Sequence, residues 1–332
     1  MKKDFFCCTE TGQGLILNNL FVIPMTNKFK GGNPVLKIWF IALRPWSFTA
    51  SVIPICLGAV LAWQEGIFYP GLFLLTLIGG MAMHAGTNLI NTYGDFMSGV
   101  DTEESASTCP QLVQEILKPK DMQRMGIIFF IFTFCLGLYL VKLRGPLLFF
   151  IGILGIIGGY GYTDGIAYKY KGIGVFCVFL LMGPMMVWGA YFVQTGVHSW
   201  MPVLVSLPLS FLVSAIMHAN DFRDIEHDRQ AGIKTLAMWL GSKKSYKFYC
   251  LLNIGAVLSL ILLVFFQLLP PFALLPLLLL PKIRFLLIKA YQAGKGDQQQ
   301  LKGLEAASAK MHFKFGSMMI VGVLLTMLLN YL

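Results

Sequence analysis

The sequence predicts an all-α fold: a polytopic membrane helical bundle of about nine transmembrane helices around a central cavity. Three observations predict it. Of 332 residues, 56% are hydrophobic and 13% charged, whereas an average soluble domain carries about 25% charged residues. The apolar residues are gathered into stretches long enough to cross a hydrocarbon layer of about 30 Å, and the mean hydropathy is +0.69. The basic residues fall almost entirely on one set of connecting loops, as expected where loop charge sets the orientation of a membrane protein.

Taken in order, residues 1–36 hold Lys2, Lys3, Lys28 and Lys30 and an apolar patch, Leu15–Met25, interrupted by Asn18 and Asn19. They are expected to form a cytoplasmic N-terminal tail, not a cleavable signal peptide. Residues 37–332 are expected to form a single transmembrane domain whose apolar segments are 41–63, 71–93, 125–141, 147–163, 174–194, 201–218, 248–267, 270–288 and 311–331. The eighth is punctuated by Pro270, Pro271, Pro276 and Pro281, which predicts a kink, since neighbouring helices can satisfy the freed carbonyls. With the N-terminus in the cytoplasm, 24 basic residues lie inside and only Lys142 and Arg144 outside. This is the positive-inside pattern. The compact chain without a targeting peptide is expected to sit in a bacterial inner membrane, multi-pass, with N-terminus and active site facing the cytoplasm.

The net charge of +10 follows from that topology and gives no reason to expect a nucleic-acid partner. The seven cysteines are odd in number and show no CxxC pair or zinc-type spacing, which argues against a disulfide framework.

Two polar clusters stand out. The second segment ends in Asn88-Leu-Ile-Asn91-Thr-Tyr-Gly-Asp95, followed by Asp101, and the sixth ends in His218-Ala-Asn220-Asp221-Phe-Arg223-Asp224, followed by Glu226, His227 and Asp228. Even-numbered segments run outside to inside, so both clusters are expected at cytoplasmic helix ends, facing one cavity. Asn91 and Asp95 are four apart, and Asp221, Asp224 and Asp228 are spaced by three and four, so each set shares a helix face. Clustered carboxylates near a membrane need water, a cation or a partner. Mg²⁺ meets that need, because it takes carboxylate oxygens, keeps waters and completes its octahedron with substrate phosphates. The bland alternative is a set of hydrated loop acids neutralised by Arg223, Arg229 and Lys234.

At these residues the sequence resembles the UbiA superfamily of intramembrane prenyltransferases, which carry two Asp-rich motifs after the second and sixth helices. Within it, Asn91-Thr-Tyr-Gly-Asp95 with Gly99-Val-Asp101, and Asn220-Asp221-Phe-Arg223-Asp224-Ile-Glu-His-Asp228 through Thr235, resemble the menaquinone-pathway, dihydroxynaphthoate prenyltransferase-like branch. Leu43-Arg44-Pro45-Trp46-Ser47-Phe48 and Tyr162-Thr163-Asp164-Gly165 with Lys169-Tyr170 extend the likeness. The resemblance implies Mg²⁺-dependent transfer of a polyprenyl group from a polyprenyl diphosphate to an aromatic acceptor such as dihydroxynaphthoate, within membrane lipids. It implies that Asn91, Asp95, Asp224 and Asp228 hold Mg²⁺, that Lys169 and Arg223 meet the diphosphate, and that Asp101 and Asp221 are supporting acids and candidate bases. Arg44 has two readings, a contributor to the diphosphate-binding floor and a positive-inside anchor. Tyr93 and Tyr162 are candidates to face an allylic cation.

The chain departs from the family pattern at three places. Ser107-Thr108-Cys109-Pro110-Gln111 stands where relatives carry an acidic-Arg segment, which leaves three readings: Lys118, Lys120 or Arg124 as substitutes, a preference for another donor, or impaired activity; Val175 replaces an acid, and Asp164 a glycine. Of the histidines, His84 and His218 are expected to bond neighbouring helices. Other readings are prenylation of hydroxybenzoate, homogentisate or haem, a non-catalytic lipid-binding or regulatory membrane protein, and a cation-coupled transporter. The transporter reading is weakened because the acids gather at one surface and not at the midplane.

Overall fold

The computed structural model describes residues 34–102 and 109–331. Nearly all of the expected N-terminal tail, and Ser107 and Thr108 of the altered segment, lie outside the described residues.

Helix α1 (Pro34–Ala42) ends just before Pro45, whose ring disfavours helical geometry in the preceding residue. Arg44 there adopts a left-handed conformation, φ 53°. A short 3₁₀ turn, Pro45–Ser47, leads into α2 (Thr49–Gln64), and the two helical arms are bent by 54°. Helix α3 (Pro70–Met97) opens on Pro70, a favourable first helical residue because its missing N–H would be unpaired there anyway. Helices α4 (Pro119–Arg144) and α5 (Leu147–Tyr160) are joined through Gly145 at φ 97°.

Helix α6 (Gly174–Leu180) widens into a π turn at Leu181–Met185 around Pro184, then continues as α7 (Met186–Thr195). A proline lacks the amide that the regular ladder requires, and a single π turn accommodates the loss. Helix α8 (Met201–Val205) breaks at Ser206 before α9 (Leu207–Arg223), and α10 (Ile225–Gln230) follows at once. Helix α11 (Leu236–Phe265) kinks at Gly241. The proline-punctuated eighth segment is a 3₁₀ stretch, Pro271–Leu279, followed by α12 (Leu280–Gly294); α13 (Leu304–Tyr331) closes the bundle.

All nine predicted segments fall on helical structure, and not all of them are long and apolar enough to count as spans by themselves. Among the described residues six helices are long and apolar enough to cross a membrane, or seven if the bent α1–α2 pair counts as one span. Helix α5 has only 14 residues, about 21 Å, short of a typical hydrocarbon core. Helix α9 has 17 residues, is parted from α8 at Ser206 and ends in Asn220-Asp221-Phe222-Arg223, which lowers its apolar character.

The core runs through α2, α7, α9, α11 and α13, where Leu57, Leu61, Val187, Leu209, Tyr249 and Phe315 are almost fully buried. Helices α2 and α7 meet at Gly58, where a Cβ would fall 2.3 Å from the Val187 carbonyl oxygen. Small residues allow such close backbone approach in membrane bundles. The outer faces expose large apolar side chains such as Phe132, Leu258 and Leu329, as lipid contact requires. The chain is a multi-pass integral membrane protein.

Candidate active site

A cavity of about 530 Å³ lies where α3 and α9 end, and its wall includes Arg44, Asn91, Asp95, Asp101, Lys169, Arg223, Asp224 and Asp228. Two sequence clusters some 130 residues apart and the Lys169 turn therefore face one space. Asp221 is the exception: it is 3% exposed and stands outside the wall.

Helix α3 supplies the first half. Asn91 Nδ2 donates to Asp95 Oδ2 at 2.6 Å, the contact that four-residue spacing favours. Lys169 Nζ donates to both Asp95 oxygens at 2.7 and 2.8 Å, and Tyr170 Oη donates to Oδ1 at 2.7 Å. Lys169 sits in a 3₁₀ turn that Ala167 enters in left-handed geometry, φ 48°. The turn is held by Lys169 N–H on the Tyr162 carbonyl at 3.0 Å and Tyr168 Oη on the Gly158 carbonyl at 2.7 Å. Burial works against the Lys169 ammonium, but Asp95, Asp221 and Asp228 outweigh it, so its pKa is raised and it stays charged. Burial and then Asp95 push the Tyr170 phenol above its ordinary value, which keeps it a donor.

The second half comes from α9 and α10. Arg223 forks onto Asp224 through Nε at 2.7 Å and Nη2 at 2.6 Å, donates through Nη2 to Asn220 Oδ1 at 2.7 Å, and reaches Glu305 of α13 through Nη1 at 2.6 Å. Asp228 receives the Thr235 hydroxyl at 3.1 Å. Asp221 Oδ1 is buried and has no partner. Such an orphaned acceptor costs its desolvation without return.

Burial raises the Asp228 carboxyl to about 6, with Lys169 and Thr235 opposing and Asp224 adding to the rise. Asp101 also rises to about 6, first through burial and then through Asp95, against Arg44 and Lys169. Arg44 spends Nε on Cys109 Sγ at 3.1 Å and Nη2 on Thr92 Oγ1 at 3.0 Å, so it is built into the cavity floor and faces the acids only at longer range.

The donor set suits Mg²⁺ in kind: hard oxygen ligands on the wall, of which Asp228 receives only the Thr235 hydroxyl. It does not form a closed cage. Among the described residues no three His, Cys, Asp or Glu side chains converge as a metal site. A Mg²⁺ ion typically takes one or two carboxylates and fills the rest with water and substrate phosphate, so the fit is to an ion that arrives with a diphosphate.

Sequence reasoning missed Tyr170 as a ligand of Asp95, Glu305 as the second acid on Arg223, and Lys302 on the wall. Tyr170 adjoins a residue already singled out, whereas nothing in the spacing marks Glu305 or Lys302. Lys118, Lys120 and Arg124 are not on the wall, which corrects the expectation that one of them replaces the altered segment there. Tyr162 lines the cavity and Tyr93 does not. Asp164 accepts from Tyr160 Oη and Gly165 N–H, both at 2.8 Å, and Val175 is 1% exposed within the core; neither reaches the wall. His218 Nε2 pairs with the Ser245 carbonyl oxygen at 3.0 Å, and His84 bonds Ser47 and Ser51 across helices while also facing the cavity.

Comparison with known proteins adds a lineage to this geometry. The model of the UbiA prenyltransferase family matches residues 51–309. UbiA prenyltransferase domain-containing protein 1 of Rattus norvegicus is 38% identical over 64% of this chain and 63% of its own length, so the matched stretch spans just under two thirds of that relative. The Gallus gallus protein of the same name is 36% identical over 86% of this chain and 84% of its own. A solved structure of a UbiA homolog from Archaeoglobus fulgidus, bound to GPP and Mg²⁺, matches with a TM-score of 0.55 at 16% identity, over 86% of this chain and 99% of that one. That likeness is one of fold.

Proposed function

We propose that this chain, which belongs to the UbiA prenyltransferase family, transfers a polyprenyl group from a prenyl diphosphate to an aromatic acceptor in a Mg²⁺-dependent reaction. One observation carries the reading: two acidic clusters and the Lys169 and Arg223 cations line a single cavity whose walls turn apolar at Met83, Leu181, Met186 and Val213. A diphosphate needs the polar end and an isoprenoid tail needs the other. The Archaeoglobus relative with GPP and Mg²⁺ supports the same pairing of ligands here.

Asn91, Asp95, Asp224 and Asp228 would hold the ion, and Mg²⁺, when bound, supplies Lewis-acid neutralisation of the leaving diphosphate. Lys169 and Arg223 meet phosphate oxygens, with Arg44 behind them. Fixed positive charge aimed at the leaving group, in a cavity shielded from water, lowers the cost of charge developing there. Asp101 and Asp221 support the site as acids, Asp221 from behind the wall. The Tyr162 ring on the wall offers a π-face to an allylic cation. The apolar walls hold the tail and exclude water.

The acceptor we propose is dihydroxynaphthoate, as in the menaquinone pathway, because the stretches Asn91–Asp95 and Asn220–Thr235 follow that branch. The matched relatives are animal proteins and give no support to a bacterial inner membrane. The charge split supports an orientation with the acidic end on the cytoplasmic side.

The test is product mass after incubating detergent-purified protein with prenyl diphosphates of rising length and dihydroxynaphthoate or hydroxybenzoate, with Mg²⁺ or EDTA. A Mg²⁺-dependent prenyl-naphthoquinol is expected. Product with hydroxybenzoate alone moves the acceptor, and the absence of any product in folded, donor-binding protein overturns the reading in favour of a non-catalytic lipid-binding role.

A further inference from the structure

Four lysine and arginine residues line the cavity: Arg44, Lys169, Arg223 and Lys302. Their hydrogen bonds separate them. Lys169 Nζ is engaged by both Asp95 oxygens. Arg223 commits Nε, Nη1 and Nη2 to Asp224, Glu305 and Asn220, and Arg44 commits Nε and Nη2 to Cys109 and Thr92. The Lys302 side chain has neither a hydrogen bond nor an ion pair among the described residues. An ammonium carries three donors, so Lys302 can take up an anion without breaking a contact inside the protein, which the other three cannot do with the groups already engaged.

The backbone holds Lys302 at the mouth. Leu301 and Leu304 are 2% and 0% exposed and pin the chain on either side, while Lys302 and Gly303 between them are exposed. Gly303 turns the chain into α13 at φ 77°, a left-handed geometry that glycine adopts without steric cost. Three residues on, Glu305 meets Arg223 at 2.6 Å, and Arg223 forks onto Asp224. Three peptide links span at most about 11 Å, so Lys302 is tethered beside the α9 acids. Exposure then orders the cations by depth: the Lys169 side chain is 7% exposed and that of Arg223 33%, with Lys302 outermost. A donor whose tail lies on the apolar walls has its carbon-linked phosphate facing inward and its terminal phosphate facing this mouth.

We propose that Lys302 binds the terminal phosphate of the prenyl donor and makes the site select diphosphates over monophosphates; this rests on the prenyl-transfer reading above. The ammonium donates to phosphate oxygens that a monophosphate of the same tail does not place at the mouth. Lys169 and Arg223, deeper and already tied to carboxylates, meet the inner phosphate in both kinds of donor. Lys302 is a binding residue: no bond is made or broken at its nitrogen, and its charge counters the repulsion between the donor and the acids gathered at that end of the cavity.

The experiment measures calorimetric binding of a prenyl thiodiphosphate and of the thiomonophosphate with the same tail, both with Mg²⁺, to wild type, Lys302→Gln, Lys302→Arg and Lys295→Gln. Lys302→Gln is expected to weaken the thiodiphosphate about tenfold, the scale of one charged hydrogen bond, and to leave the thiomonophosphate unchanged. Lys302→Arg should restore most of the loss. Lys295 is an exposed cation before the same helix but off the wall, so Lys295→Gln, with the same change of net charge, should match wild type. Thiodiphosphate binding unchanged in Lys302→Gln, an equal loss for both ligands, or an equal loss in Lys295→Gln overturns the inference while the function stands. Wild type that binds neither ligand overturns both.

Discussion

The two acidic clusters look alike in the sequence, yet they are solved differently in the structure. Asp95 is saturated: Lys169, Asn91 and Tyr170 fill its oxygens, and the Lys169–Asp95 pair is 7% and 8% exposed at its side chains. Across the end of α9 and α10, Asp228 has one hydroxyl donor and Asp224 shares its cation with Glu305, while behind the wall Asp221 Oδ1 has no partner. One half of the cavity is neutral and preset; the other carries charge in search of a counter-ion. Spacing sets which side chains share a face, but the neutralising partners come from distant turns and decide what each carboxylate can do.

Four single substitutions and one change of condition sharpen or break that contrast. Asp228→Asn removes a ligand from the under-neutralised half and Asp95→Asn one from the preset half; each is expected to lower Mg²⁺-dependent turnover by about 10²–10³-fold, read as product formed per enzyme. If either retains near-wild-type turnover, the two halves do not share one ion. Lys169→Met leaves Asp95 buried and unpaired, and removing one partner of a buried pair costs about 3–5 kcal/mol. A lowered melting temperature in detergent, recovered in Lys169→Met/Asp95→Asn, is expected; equal melting temperatures would mean the pair is not holding the turn.

Acidity gives a third handle. Asp101 and Asp228 hold their protons up to about pH 6, and the metal takes only the ionised form. Apparent Mg²⁺ affinity is therefore expected to be flat above pH 7 and to fall below pH 6 by about tenfold per unit for each proton displaced. Titration of Mg²⁺-dependent donor binding against pH checks it, and a flat profile from pH 5 to 8 contradicts it. The smallest effect belongs to Glu305→Gln, which loosens Arg223 without removing it from Asp224. A rise in donor KM of about two- to fivefold, as for one partly exposed charged hydrogen bond, is expected, with kcat unchanged.

Much of this arrangement is legible in the sequence. The positive-inside split places the ends of the second and sixth segments on one side, and the spacing of Asn91 with Asp95 puts them on one face. Helix positions follow from apolar runs, whereas the shortness of α5 and the break at Ser206 do not, because hydropathy alone does not measure them. Partners across the fold are not legible either. Nothing in the local sequence joins Lys169 to Asp95 across 74 positions, or Glu305 to Arg223 across 82, and both contacts exist only because the bundle closes. His84 is legible as an interhelical histidine, whereas its partners Ser47 and Ser51 appear only once the start of α2 and the turn before it pack on α3.

The most direct test of the central claim, that both clusters serve one Mg²⁺-diphosphate site, is calorimetric binding of a non-reactive prenyl thiodiphosphate to wild type, Asp95→Asn and Asp228→Asn, with Mg²⁺ and with EDTA. The account predicts tight binding only for wild type with Mg²⁺, and weak binding in every other arm. Binding that survives EDTA unchanged, or that depends on one cluster and ignores the other, would contradict it.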